Sequence, residues 1–530
     1  MSRPAAITFL SALLLASAAS FAATPSPSDL AFFESKIRPI FVQSCYKCHS
    51  HEAERLKGNL SVEFRDSLLK GGENGPALVP GDPEKSLLIK AVRYEDADLQ
   101  MPPKGKKLSD DQIADLVAWV KMGAPDPRVP GQTVAGQNWG KNRRDHWAFK
   151  PVRPTRAPAV NNTNWIANPI DAFVLAKLEE NGMKPSPPAD KRALVRRATY
   201  DLTGLPPTPE EVEAFVKDTS TNAFAKVVDR LLASPQYGEH WGRYWLDVAR
   251  YADTKGDVKN QEAPLYPYAW TYRDYVVRAF NQDKPFNRFI LEQIAGDRLF
   301  STDQDSLAAL GFLTLGPRFN ENINDIINDR IDVVCKGFMG LTVTCARCHD
   351  HKFDPIPTAD YYSLRGVFLS SIEPAEEPLL GAVKFTPEYA AFQKKYSEFD
   401  QKLTQDEAQI RALRKSGETM QVKETRRDIG QLRRQIAQLE ANDPGSPPRA
   451  SALYDSSKPQ NSPIFIRGEA GNKGPVVPRE FLEILSGPGR APFRYGSGRL
   501  ELAQSIASAA NPLTPRVIVN RVWTRHFGQG

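Results

Sequence analysis

Cys45-Tyr46-Lys47-Cys48-His49 and Cys345-Ala346-Arg347-Cys348-His349 repeat one spacing of two thiols and an imidazole at distant points of the chain. Two intervening residues let a single turn present both sulfurs and the ring, the arrangement that attaches a porphyrin through two thioethers and gives its iron a proximal ligand. The motif predicts haem c on Cys45 and Cys48 with His49 as metal ligand. No second cysteine pair lies near it to complete a zinc site. A c-type haem needs a helix that delivers the motif, and Phe32, Phe33, Ile37 and Phe41 form one apolar face between a cap at Ser28 or Asp29 and Ser44.

The opposite face of such an iron needs a further ligand. Met101, ahead of Pro102-Pro103, is the one methionine between the motif and the next helix, and a thioether there would raise the reduction potential relative to a second histidine. His51 is too close to His49 to reach that face. At the second motif the spacing predicts another haem on Cys345 and Cys348 with His349 on the iron. A zinc or iron site completed by His351 or Asp354 is the alternative. His240 is a candidate distal ligand, although a lone histidine among Tyr237, Trp241, Tyr244 and Trp245 reads first as aromatic packing. Met339 lies uncomfortably close along the chain. Cys335, beside Val333, Val334 and Phe338, reads as a buried small hydrophobe. His146 and His526 receive no role, and no residue is assigned to catalysis.

The compartment follows from the first residues. A basic start, an apolar stretch from Ala5 to Ala19 and Ser20-Phe21-Ala22 predict a signal peptide over residues 1–22, hence a periplasmic, cell-surface or secreted protein. No stretch has the apolar length of a transmembrane segment. The 69 basic and 63 acidic residues leave a formal charge of +6 but are mixed along the chain, so no basic stripe predicts nucleic acid as a partner.

Periodicity predicts a mainly α chain. After the first motif the sequence is rich in turns until a helix that starts at Ser109, with Gln112 completing a capping box and Gly123 and Pro125 ending it. Residues 29–125 thus form a small class I-like cytochrome c domain, and 126–145 read as a linker. A larger helical domain over 146–375 ends with the second motif. Its expected helices run from Pro169 to Glu180, Pro209 to Lys217, Ala223 to Ala233, Tyr237 to Tyr251, Ala269 to Phe280, Phe286 to Ala295 and Ile323 to Met339. Residues 386–442 alternate apolar spacings of four and three, with a break at Ser416-Gly417, and predict a coiled-coil hairpin with charged outer faces, either a solvated structural arm or a docking surface for a partner. Residues 443–530 are turn-rich, with one strand near Pro463 to Arg467 and two closing helices.

The stretch from Ile37 to Ala124, with its Cys-Tyr-Lys-Cys-His motif, Met101-Pro102-Pro103 and Trp119-Val120-Lys121-Met122-Gly123-Ala124, resembles the planctomycete-type cytochrome c domain. His146 to about Phe368, with Asp201-Leu202-Thr203-Gly204-Leu205-Pro206-Pro207, Tyr237-Gly238-Glu239-His240-Trp241 and Cys345 to Ile356, is similar to the helical domain of unknown function that usually follows it. Arg467-Gly468, Ser497-Gly498-Arg499-Leu500 and Asn520-Arg521-Val522-Trp523 look like the opening of the third family domain, truncated at Gly530. The resemblance implies an exported bacterial haem protein and supports the haem roles of Cys45, Cys48, His49 and Met101. For the later domains it implies architecture without chemistry. The reading is an electron-transfer protein with a redox partner that the sequence does not specify. Its alternatives are a periplasmic oxidoreductase centred on the second motif and a binding scaffold with an appended cytochrome.

Overall fold

The computed structural model describes residues 26–50, 56–103, 107–128, 143–259, 262–299, 304–416 and 418–529. The expected signal peptide, His51 and most of the expected linker lie outside them. The chain divides into two compact units, Met1–Gly140 and Lys141–Gly530. The fold is mainly α, 58% helix against 4% strand. No helix among the described residues is long and apolar enough to cross a membrane.

In the first unit an almost unbroken helical run leads into the first motif. It passes from an α-helix, Pro27–Phe32, through π-helical Phe33–Ile37, α-helical Arg38–Ile40 and π-helical Phe41–Cys45 to α-helical Tyr46–His49. Ser26, not Ser28 or Asp29, is the cap. Its hydroxyl accepts from the Asp29 N–H while the Asp29 carboxylate accepts from the Ser26 N–H, so Asp29 is the partner in a capping box. Phe33, Ile37, Ile40 and Phe41 are buried against the closing helix, Asp110–Lys121, through Trp119. The Trp119 ring centroid lies 5.9 Å from that of Phe33 and 5.6 Å from that of Phe41, and its indole N–H donates to the Pro125 carbonyl at 2.8 Å. The predicted Ser109–Gln112 capping box is present. Arg65 donates to the Gly123 and Ala124 carbonyls just beyond this helix. The turn-rich middle also holds two short helices, Arg65–Lys70 and Leu87–Arg93, which bury too few apolar residues to announce themselves by period.

In the second unit Pro169–Glu180 and Pro209–Lys217 appear with the boundaries and capping boxes that their Asn168/Asp171 and Thr208/Glu211 pairs dictate. Two helices absent from the sequence reading, Lys191–Thr203 and Thr358–Leu369, complete the set. The first packs with Pro209–Lys217 and Ala223–Leu232 around Val195, Phe215, Val227 and Leu231. The main core surrounds Trp245, whose ring meets Phe289, Phe312 and Phe338 and whose N–H reaches Gln293 Oε1 at 2.8 Å. The expected helix through Met339 stops at Val334, continues as a π-helical turn, Cys335–Met339, and ends at left-handed Gly340.

Pro387–Ser416 and Thr419–Asn442 pack on each other as the two arms of the hairpin, with Phe392, Ile410, Leu413, Ile429 and Leu432 buried. The strand expected near Pro463 is Ser462–Phe465, antiparallel to Lys473–Val477. The region beyond residue 443 shares the core of the helical domain. Leu453, Phe465, Phe481, Leu502 and Ile506 join the cluster around Trp245. Arg499, fully buried, fastens it there. Its guanidinium donates to Asp297 at 2.8 and 2.9 Å, to Asp455 at 2.8 Å and to the Ile294 carbonyl at 3.1 Å.

Candidate functional site: the two Cys-x-x-Cys-His turns

At the first turn the π-helical end, Phe41–Cys45, hands over to Tyr46–His49, which brings Cys45, Cys48 and His49 onto consecutive turns of one helical end. None of Cys45, Cys48, Cys335, Cys345 and Cys348 is paired in a disulfide. Burial pushes the Cys45 thiol up to about 12, with Cys48 beside it adding to the effect. Apolar surroundings that disfavour a thiolate exact no penalty from an uncharged thioether, so this sulfur suits covalent attachment better than ionic metal binding. His49 Nδ1 lies 3.2 Å from the Leu60 carbonyl, and the His49 carbonyl accepts from the Val62 N–H at 2.8 Å. A carbonyl partner fixes the proton on Nδ1 and leaves Nε2 as the lone-pair nitrogen that an iron requires. The donor set fits haem c.

Met101 is half-buried, and its N–H donates to the Ala91 carbonyl at 3.0 Å. The Tyr94 hydroxyl donates to the Pro102 carbonyl, so the Met101-Pro102 segment is tied to the helix Leu87–Arg93 and the residue after it.

Sequence reasoning missed the support behind the motif. Asp126 and Arg128, read as linker, are buried in the first unit. Arg128 donates to the Tyr46 hydroxyl at 2.8 Å, to the Val62 carbonyl at 3.0 Å and to both Asp126 oxygens. The available signal was an Asp-Pro-Arg triplet just after the last helix.

The second turn is built differently. Left-handed Gly340 leads into a 3₁₀ helix, Val343–Arg347, whose Val343 and Ala346 stay in the core while Cys345, Cys348 and His349 emerge exposed. His349 Nδ1 lies 2.7 Å from the carbonyl of Asp350, which again leaves Nε2 as the lone-pair nitrogen. His351 is buried and fully engaged: Nδ1 accepts the Phe353 and Asp354 N–H groups at 3.1 and 2.7 Å, and Nε2 meets the Thr342 hydroxyl at 2.9 Å. Burial holds its pKa below the ordinary histidine value, against Asp354, whose charge pulls the other way. With both nitrogens committed, His351 is a structural clasp, which removes it from the zinc alternative. Among the described residues no group of three or more His, Cys, Asp and Glu side chains gathers as a metal site.

Around this turn the Tyr362 hydroxyl joins the Arg347 and Phe465 carbonyls at 2.9 and 3.1 Å, and Arg347 pairs with Asp325 at 2.9 Å. Gly468, at φ +78°, lies so close to Cys348 that a Cβ would stand 2.6 Å from its sulfur. Only glycine serves at this position, on both backbone and contact grounds.

The remaining candidates fall elsewhere. Met339 and Cys335 are buried in the main core, whereas His349 is exposed. Burial holds the Cys335 thiol far above its usual range, the behaviour of a small hydrophobe. His240 packs against Trp241 and Tyr244, with its Nε2 3.4 Å from the Tyr244 hydroxyl, and a Cβ on left-handed Gly204 would stand 2.5 Å from its Nδ1. His526 faces Trp241 with its Nδ1 3.7 Å from Asp201, and His146 accepts from the Ala148 N–H.

Three family descriptions match the chain: Planctomycete cytochrome C over residues 45–105, Protein of unknown function (DUF1549) over 169–373 and Protein of unknown function (DUF1553) over 498–530. Their order is the domain order given by the sequence resemblance. No curated protein and no solved structure matches. The first of these matches points to a c-type cytochrome domain with haem c as its cofactor.

Proposed function

We propose that this chain is an exported c-type haem protein that transfers electrons, with one haem on Cys45 and Cys48 and a second on Cys345 and Cys348. The observation that carries the reading is the pair of proximal imidazoles whose Nδ1 faces a backbone carbonyl, Leu60 for His49 and Asp350 for His349, leaving Nε2 as ligand in both turns. Haem, when bound, supplies a one-electron couple. The protein's part is to orient His49, to tie the loop of Met101, whose thioether would serve as a further iron ligand, to residues 91 and 94, and to surround Cys45 with apolar side chains. The leader-like residues 1–22 support a periplasmic or cell-surface location. The redox partner is a protein that docks on the body or on the hairpin.

A second reading makes the Cys345–His349 turn the active centre of an oxidoreductase. The exposure of Cys345, Cys348 and His349 supports it, since a centre that acts on an outside molecule must be reachable from solvent.

The test is haem content per chain, from intact mass and pyridine haemochrome, for protein made with c-type maturation machinery. Two haems in the wild type and one in Cys345→Ala/Cys348→Ala is the expected result. One haem in both defeats the di-haem reading and moves attention to metal analysis of the second turn. Substrate-dependent reduction of the second haem, with a coordination position open to added ligand, would favour the oxidoreductase.

A further inference from the structure

We propose that Arg128, aligned by Asp126, is a positioning residue for the first haem: it fixes the Cys45–His49 turn and the segment that clasps the proximal imidazole. The inference rests on the reading that Cys45, Cys48 and His49 hold haem.

The two charges are almost entirely out of water, with side chains 4% exposed for Arg128 and fully buried for Asp126. Burying an ion pair brings little net stability and often costs some, so stability is a poor explanation for it here. The geometry offers a better one. Nε and one terminal nitrogen of the guanidinium form the fork onto Asp126, at 2.8 and 2.5 Å, while Asp126 Oδ1 also accepts the Arg128 backbone N–H at 2.9 Å. This aims the remaining nitrogen at two acceptors, the Tyr46 hydroxyl and the Val62 carbonyl. The flat face of the same group lies over the rings of Phe33 and Phe41, at 4.9 and 5.3 Å from their centroids.

Both targets bear on the iron. Tyr46 stands between the two attachment cysteines. Val62 takes the His49 carbonyl on its own N–H, and Leu60, two residues earlier, faces His49 Nδ1. One rigid guanidinium thus spans the turn that carries the ligand and the segment that sets the ligand's tautomer and basicity. A lysine ammonium has the charge but not the fork, and reaches only some of these partners. A looser turn would lengthen the bond to the Leu60 carbonyl, make the imidazole a weaker donor and favour the reduced iron.

The experiment uses the full haem-loaded chain carrying Tyr46→Phe, Arg128→Lys or both. Tyr46→Phe removes a single hydroxyl, which keeps the test alive if the arginine variant folds poorly. We expect each single variant to raise the midpoint potential of the first haem by about a three- to tenfold change in the reduction equilibrium, and to shift the His49 and haem-methyl NMR signals. The double variant should move no further than the larger single one, because the Tyr46 bond that Tyr46→Phe removes is already lost with the guanidinium fork in Arg128→Lys. Unchanged or lowered potentials with wild-type signals in both single variants, whatever the melting temperature does, would overturn the proposal, and so would fully additive shifts. Absence of haem from the wild-type peptide bearing Cys45 and Cys48, read by mass on the same sample, would overturn the proposal together with the reading beneath it. That failure is distinguishable from the others.

Discussion

The two Cys-x-x-Cys-His turns share five-residue spacing and a histidine Nδ1 that faces a backbone carbonyl, yet their surroundings are opposite in kind. The first ends a long helical run, with Trp119, Phe33 and Phe41 packed behind it, a half-buried Cys45 and a buried ion pair bracing Tyr46. The second sits on a short 3₁₀ helix at the rim of a larger core, all three motif side chains exposed, steadied from below by the His351 clasp and from the side by the Gly468 loop. The local pattern fixes which atoms can bond a porphyrin. The packing around it decides how far water and partners reach the iron, and with that the potential and the reactivity. An enclosed site suits storage and passage of electrons, whereas an exposed one suits exchange with something outside.

This contrast can be broken by removing what encloses the first site. Trp119→Ala takes away a fully buried indole that touches two helices, and should destabilise the first unit by about 3–5 kcal/mol. Chemical denaturation followed at the haem absorbance of the first site would register it. A loss below about 1 kcal/mol would mean that the helical run carries the site without its packing partner.

The second site can be sharpened through its pH dependence. Asp360 lies on the helix Thr358–Leu369, directly after the His351 loop, and burial pushes its carboxyl up to about 6 although Arg490 stands 2.6 Å away. The folded state therefore holds this proton more tightly than the unfolded chain, whose carboxyl titrates near the ordinary value of about 4. The second unit should lose stability as pH rises from about 4 to about 6, by about 2–3 kcal/mol. Thermal melting across that range, compared with Asp360→Asn, measures it, and an equally steep fall in the variant would assign the effect to other groups. The smallest effect should come from Gly468→Ala, about 1–3 kcal/mol from the left-handed backbone and the clash with Cys348. Its sharper readout is occupancy: haem at Cys345 and Cys348 should drop while the first site stays loaded. Full loading of both would show that the loop yields.

Much of this was legible in the sequence because it is local. Capping boxes at Ser109, Asn168 and Thr208 need only residues three apart, and the motif turns need only five. Apolar period announced the long helices and the hairpin arms. It did not announce Lys191–Thr203, whose buried Val195, Thr199 and Thr203 include two hydroxyls, or Thr358–Leu369, which is buried nearly all round and so has no polar face to set a period. Composition misled at Asp126-Pro127-Arg128, where proline and charge look like linker and the side chains close into the core.

What the sequence determined by itself is therefore the two motif turns: thiol and imidazole types at fixed spacing, delivered by helix and turn signals that act within a few residues. Tertiary structure alone decided the rest. Whether Cys45 is enclosed and Cys345 exposed, whether His351 is ligand or clasp, and that Arg128 reaches back to Tyr46 and Arg499 to Asp297 all depend on contacts between residues far apart in the chain. Such contacts leave no local period or spacing, because their energy comes from burial and from pairing that exist only once distant segments have packed together.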